Sequence, residues 1–195
     1  MKLVIIQYNA GNIQSVLYAL ERLGVTATVT DNVASIQAAD KVIFPGVGEA
    51  STAMAYLKER GLDKVIVNLK QPVLGICLGM QLLCSYSEEN DTTCLSVFDE
   101  RVVSFLPNGT DKIPQVGWNT ISNYSSDLFK GLTQNAYCYF VHGYYAALGP
   151  DTVATTNYIL PYSAALQKNN FYGVQFHPEK SATVGEKILQ NFLDI

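Results

Sequence analysis

The chain has 195 residues, 48% of them hydrophobic and 15% charged, which is enough apolar material for one substantial core and excludes a disordered segment. A formal net charge of -4 with no Lys/Arg block argues against a nucleic-acid partner, and no apolar run is long enough to cross a membrane. Four cysteines (Cys77, Cys84, Cys94, Cys138) without a CxxC pair or framework spacing read as reduced thiols.

Residues 3–7 read as a first buried strand, and Leu3-Val4-Ile5-Ile6 is too short for a secretory h-region. With the reduced thiols, this points to the cytoplasm. Asn9-Ala10-Gly11-Asn12 reads as a turn with Asn12 as N-cap. Ile13, Val16, Leu17, Leu20 and Leu23 then share one helical face, which Gly24 ends. Val25–Thr30 reads as a strand, Ala34–Ala39 as a short helix and Lys41–Phe44 as a buried strand broken by Pro45-Gly46-Val47-Gly48, before a helix from about Glu49 to Arg60. Alternating strand and helix at this spacing predicts an α/β fold, an open and mostly parallel sheet with helices on both faces. The glycine-rich turn after the third strand either brings bare N–H groups to a bound group or is simply a loop that needs two glycines. It has neither the Walker pattern nor GxGxxG.

Pro72 to Leu83, PVLGICLGMQLL, reads as a buried strand that turns sharply into a helix around Cys77. Gly75 and Gly79, two residues before and after Cys77, suit an elbow that holds a nucleophile in strained backbone. At the start of a helix the macrodipole favours a thiolate, and the Leu78 N–H becomes an oxyanion donor. The alternative is a Cys77 that is only a small buried hydrophobe.

Residues 87–98 read as a polar surface loop. Beyond about Asp99 the pattern changes to short strands at Arg101–Phe105, Trp118–Ile121, Tyr137–Val141, Val153–Thr156, Ala164–Gln167 and Phe171–Phe176, an antiparallel extension or second small sheet. A last helix from about Val184 to Leu193 packs Ile188, Leu189 and Phe192 inward. The chain has two histidines, so the search for a general base is short. His177 precedes Pro178 and Glu179; an extended His-Pro-Glu puts imidazole and carboxylate on the same side, where the carboxylate fixes the tautomer. Cys77, His177 and Glu179 then form a Cys-His-Glu triad. His142 has no carboxylate nearby in sequence and reads as structural or as part of the site wall.

Gly75-Ile76-Cys77-Leu78-Gly79-Met80-Gln81 and Gly173-Val174-Gln175-Phe176-His177-Pro178-Glu179-Lys180-Ser181 resemble the two signature segments of the class I, or triad-type, glutamine amidotransferases. Their order and separation also match, as does the intervening Pro45-Gly46-Val47-Gly48. Within that family Gly11-Asn12, Pro45-Gly46-Val47-Gly48 and Pro114-Gln115-Val116-Gly117-Trp118-Asn119 are similar to the glutaminase subunits of imidazole glycerol phosphate synthase. The likeness covers essentially the whole chain, residues 1–195, as a single domain. One departure is Gln7-Tyr8-Asn9 where the family usually reads Asp-Tyr-Gly, which removes a carboxylate from the end of the first strand.

The resemblance implies a flavodoxin-like, twisted sheet with an antiparallel extension, L-glutamine as substrate, and neither metal nor cofactor. It implies oxyanion donors at Leu78 and at Val47 or Gly48, and ligand contacts from Gly46, Gln81, His142, Gly143 and Tyr144. It implies a heterodimer with a (β/α)8-barrel cyclase through Asn12, Trp118 and Lys180. The cyclase would receive the ammonia and make imidazole glycerol phosphate and AICAR in histidine biosynthesis. In the family the Pro45–Gly48 loop can turn its N–H away until the partner is loaded, so the subunit alone would be weakly active. Gln81 also suits an ordinary helix position, Trp118 a core aromatic and Lys180 a solvated side chain. A glutaminase serving nucleotide, tryptophan or pyridoxal phosphate synthesis, a non-enzymatic stress or binding protein on the same scaffold, and a cysteine peptidase stay open as other readings.

Overall fold

A computed structural model describes residues 1–9 and 11–195, so of the predicted turn only Ala10 lies outside the described residues. Strand β1 (Leu3–Ile6) is buried along its whole length. Leu3 and Ile5 belong to one core cluster, while Val4 and Ile6 belong to another on the opposite side. A strand apolar on both faces needs a helical layer on each. The first cluster is covered by α1 (Ile13–Arg22) and α6 (Ala182–Asp194), through Val16, Leu20, Ile188 and Phe192. The second is covered by α2 (Val33–Gln37), α3 (Ala50–Glu59), α4 (Leu62–Val67) and α5 (Leu78–Leu83).

Strands β2 (Ala27–Thr30), β3 (Lys41–Gly46) and β4 (Val73–Cys77) complete the N-terminal half. The C-terminal half adds β5 (Tyr86–Ser87), β6 (Thr92–Thr93), β7 (Arg101–Ser104), β8 (Gln115–Ile121), β9 (Ala136–His142), β10 (Tyr144–Ala146), β11 (Thr152–Tyr158), β12 (Leu160–Lys168) and β13 (Phe171–Val174). The main sheet has seven strands in the order β11-β12-β13-β4-β3-β1-β2, with β10-β7-β5-β6 and β8-β9 as smaller sheets. Strands β2, β1, β3, β4 and β13 pair in parallel, and β12 and β11 extend that sheet antiparallel. The mostly parallel sheet with an antiparallel extension is thus as expected.

Several boundaries differ from expectation. Strand β3 does not stop at Phe44: Pro45 and Gly46 stay in register with Ile76 and Cys77, which keeps the glycine-rich turn beside Cys77. The segment Phe171–Val174 belongs to the parallel core beside β4 and not to the extension. Helix α4 was not anticipated, because Gly61, at φ +67, breaks the helical path and leaves only six residues beyond it. Residues 87–98 are not simply a surface loop: they include β6, and Cys94 and Phe98 are buried in the second core. Asn12 occupies the N-cap position of α1 without capping it by a side-chain bond to a backbone N–H; its Oδ1 accepts instead from Ser15 Oγ at 2.7 Å. Among the described residues no helix is long and apolar enough to cross a membrane.

Candidate active site

Cys77 ends β4 and caps α5 with φ +52 and ψ -108, a conformation L residues rarely adopt. The elbow closes this tightly only because its flanks lack Cβ atoms. A Cβ on Gly79 would lie 1.8 Å from the Phe44 carbonyl oxygen, and one on Gly75 would lie 2.9 Å from the Gly79 carbonyl carbon. The first N–H groups of a helix have no partner within it, so the Leu78 N–H at the start of α5 is free to meet developing negative charge. Cys77 is 6% exposed, yet it borders a cavity of about 280 Å³ that Leu78, Gln81, Val47, Gly48, His142, Gly143, Tyr144, His177 and Lys180 also line.

His177 follows β13, the strand that pairs with β4. Its N–H donates to the Tyr139 carbonyl at 2.8 Å, while the His177 carbonyl accepts from Ser181 Oγ at 2.7 Å, pinning the backbone on both sides. His177 Nδ1 lies 2.8 Å from Glu179 Oε1, with both side chains buried. The contact forms by a different local geometry from the extended one expected. Pro178–Lys180 is a 3-10 turn, whose fixed proline φ brings Glu179 back under the imidazole. A carboxylate accepts only, so Nδ1 carries the proton and Nε2 is left for the sulfur. Burial alone would lower the His177 pKa. Hydrogen bonds to Cys77 and Glu179, with the charge on both, outweigh it and raise the imidazole to about 10.

The loop after β3 forms the facing wall. Gly46 sits opposite Cys77 in register, where a Cβ would meet the buried Tyr8 hydroxyl at 2.0 Å. Gly48 has φ +120, which favours glycine. Gln81 Nε2 donates to the Tyr144 carbonyl and to Gln175 Oε1, both at 2.9 Å, so its amide nitrogen is committed within the protein. His142 Nδ1 lies 2.7 Å from the same Tyr144 carbonyl, and Nε2 lies 3.0 Å from the Tyr162 hydroxyl. Burial, aided by the nearby His177 charge, lowers His142 to about 4, so this ring is neutral and braces the wall.

Two residues that the sequence reading missed sit here. Glu89, taken for part of a surface loop, lines the cavity, and its Oε2 accepts from the Ala50 N–H at 2.7 Å. Its run SEENDTT carries no periodicity, so only three-dimensional closure marks it. Gln175 is fully buried beside Cys77. Asn12 lies outside the main cavity, in a small cleft with Pro45, Gly46, His177 and Glu179. Trp118 is also outside. It is 52% exposed and meets Tyr139 edge-on, with ring centroids 5.9 Å apart. With exposed Val116, Tyr137 and Val141 it forms an apolar outer face of β8 and β9, and Val141 also lines the cavity.

Residues 4–195 match the family model for the class-I glutamine amidotransferases. The chain is 58% identical over 196 residues to "Imidazole glycerol phosphate synthase subunit HisH" of Bacteroides fragilis, covering 100% of both chains. Against the protein of the same name from Bacteroides thetaiotaomicron the identity is 56%, again over 100% of both. A solved structure of a glutamine amidotransferase superposes with a TM-score of 0.75 over 98% of this chain and 97% of its own, at 18% identity, a likeness of fold.

Proposed function

We propose that this chain, which belongs to the class I glutamine amidotransferases, splits glutamine through Cys77, His177 and Glu179 as the ammonia-supplying subunit of an imidazole glycerol phosphate synthase. Residues 1–195 act as one domain. The observation that carries the chemistry is a strained cysteine, a buried imidazole bonded to a buried carboxylate, and a free helix-start N–H around one cavity.

The Cys77 thiolate attacks the side-chain carbonyl carbon of glutamine, and the oxygen takes up the electron pair. The Leu78 N–H and an N–H of the Val47-Gly48 turn receive that oxyanion; one such donor is worth about 10²–10³ in rate. As the carbon–nitrogen bond breaks, imidazolium His177 gives its Nε2 proton to the departing nitrogen, leaving ammonia and a glutamyl thioester. Water then attacks the thioester as His177 takes its proton. Glutamate leaves, and thiolate and imidazolium are restored. Glu179 holds the Nδ1 proton throughout. Glu89 is the carboxylate suited to the substrate ammonium, and Lys180 is a cation for its carboxylate. With its nitrogen committed, Gln81 has only its carbonyl oxygen to offer the ligand, while Gly46, Gly143, Tyr144 and neutral His142 shape the wall.

Ammonia in neutral water is mostly ammonium and not nucleophilic, so the product gains from a covered route to its acceptor. The Val116–Trp118–Tyr137 face adjoins the cavity mouth through Val141, and it is the surface that suits a (β/α)8-barrel cyclase. Asn12 and Lys180 flank the same end of the sheet. One experiment tests both parts: gel filtration with and without the cyclase, while glutamate is measured. Co-elution and faster glutamate release, abolished by Cys77→Ser, are expected. Glutamate release undiminished in Cys77→Ser would refute the chemistry, and separate elution would refute the partner.

A further inference from the structure

Cys77 has a second side-chain neighbour besides His177. Gln175 follows β13, and the register that pairs Val174 with Ile76 sets Gln175 beside Cys77. Its Nε2 lies 3.7 Å from Cys77 Sγ, within reach of a hydrogen bond to sulfur, and its side chain is fully buried.

The orientation of that amide is fixed by a chain of one-way bonds. The Tyr144 carbonyl can only accept, so the Gln81 atom 2.9 Å from it is nitrogen. The other hydrogen on that nitrogen goes to Gln175 at 2.9 Å, so the Gln175 atom there is oxygen. The Gln175 NH₂ then points to the sulfur, its one acceptor among the described residues. The Tyr144 carbonyl is itself held by the neutral His142 at 2.7 Å. A fully buried amide is costly unless its donors are used, and the described network gives this one no other acceptor.

We propose that Gln175 donates a hydrogen bond to the Cys77 thiolate and, oriented by Gln81, holds the sulfur in its attacking position. This rests on the reading of Cys77 as the nucleophile. Gln175 stabilises the thiolate, whereas the Val141 carbonyl, an acceptor 3.8 Å from the sulfur, favours the thiol. The titratable groups facing Cys77 are His177, Tyr8 and Tyr162, and Glu89, His142 and Lys180 line the same cavity. Burial and the Cys77 charge hold both tyrosines above their ordinary range, so neither ionises near neutral pH.

The test follows alkylation of the full-length chain by iodoacetamide from pH 5 to 10, in wild type, Gln175→Met and Gln175→Glu. The methionine matches the shape without a donor, and the glutamate keeps an oxygen for Gln81. Both variants should have the midpoint of the rate profile moved upward by about one pH unit, so that alkylation is about tenfold slower at pH values below the wild-type midpoint. A purely structural role predicts an unmoved midpoint in any folded variant, and that result would overturn the proposal. Should neither variant fold, side-chain amide NMR of wild type decides: the Gln175 NH₂ signal should move with the same midpoint as alkylation, and a stationary signal would overturn it. Wild-type Cys77 failing to react at all would instead refute the nucleophile itself.

Discussion

His142 makes acid stability a direct probe of the site wall. The ring is neutral in the folded protein, with a pKa lowered from 6.5 to about 4. The unfolded chain therefore binds a proton at a pH where the folded one does not. For a depressed folded value the contribution is complete above pH 6.5 and is lost as pH falls toward 4. At pH 5 the unfolded ring is almost fully protonated and the folded ring about one-tenth so, which is a loss of about 2 kcal/mol relative to pH 8. His142→Gln removes the titration while keeping a side-chain N–H for the Tyr144 carbonyl. Urea unfolding at pH 8 and pH 5 should show the wild type losing about 2 kcal/mol more than the variant. With a slope of about 2 kcal/mol/M, that is an extra shift of about 1 M in midpoint. Other titrations common to both proteins cancel in the difference. Equal losses in the two proteins would refute a neutral, buried His142.

Gly79→Ala should lower stability by about 3 kcal/mol or more in the same urea assay, because its Cβ would fall 1.8 Å from a backbone oxygen that cannot swing away. Glu179→Gln should reduce glutamine turnover about 10³–10⁴-fold with little change in KM, read by steady-state glutamate production, since the Nδ1 proton loses its anionic holder. Trp118→Ala should weaken cyclase binding about thirtyfold by calorimetry and leave the melting temperature within about 2 °C, because the ring is 52% exposed on the chain.

How far the sequence could be read depended on whether a signal was local. The elbow was legible because Gly75 and Gly79 stand at fixed offsets from Cys77 and the strand is a continuous apolar run. The pairing of His177 with Glu179 was legible from Pro178, although the turn was taken for extended chain: proline restricts its neighbours without choosing between strand and 3-10 turn. Parallel pairing of β13 with β4 was hidden, because a short apolar strand carries the same pattern in either direction. Glu89 and Gln175 stayed unseen for a related reason. A polar residue in a charged run, or between Val174 and Phe176, takes its role from what lies across the cavity. The β8–β9 outer face was anticipated only at Trp118; Val116 and Tyr137 join it through antiparallel pairing across the hairpin.

The chemistry turns on which sulfur reacts. Cys84 is held well above its ordinary range by burial, and Cys94 and Cys138 are pushed by burial to about 12, so none of the three competes as a nucleophile. Peptide mass spectrometry after treatment with the glutamine-like electrophile diazo-oxo-norleucine, with the cyclase present, should find one adduct per chain, on the peptide carrying Cys77, and none in His177→Asn. An unmodified Cys77, or an adduct on another cysteine, would contradict the account.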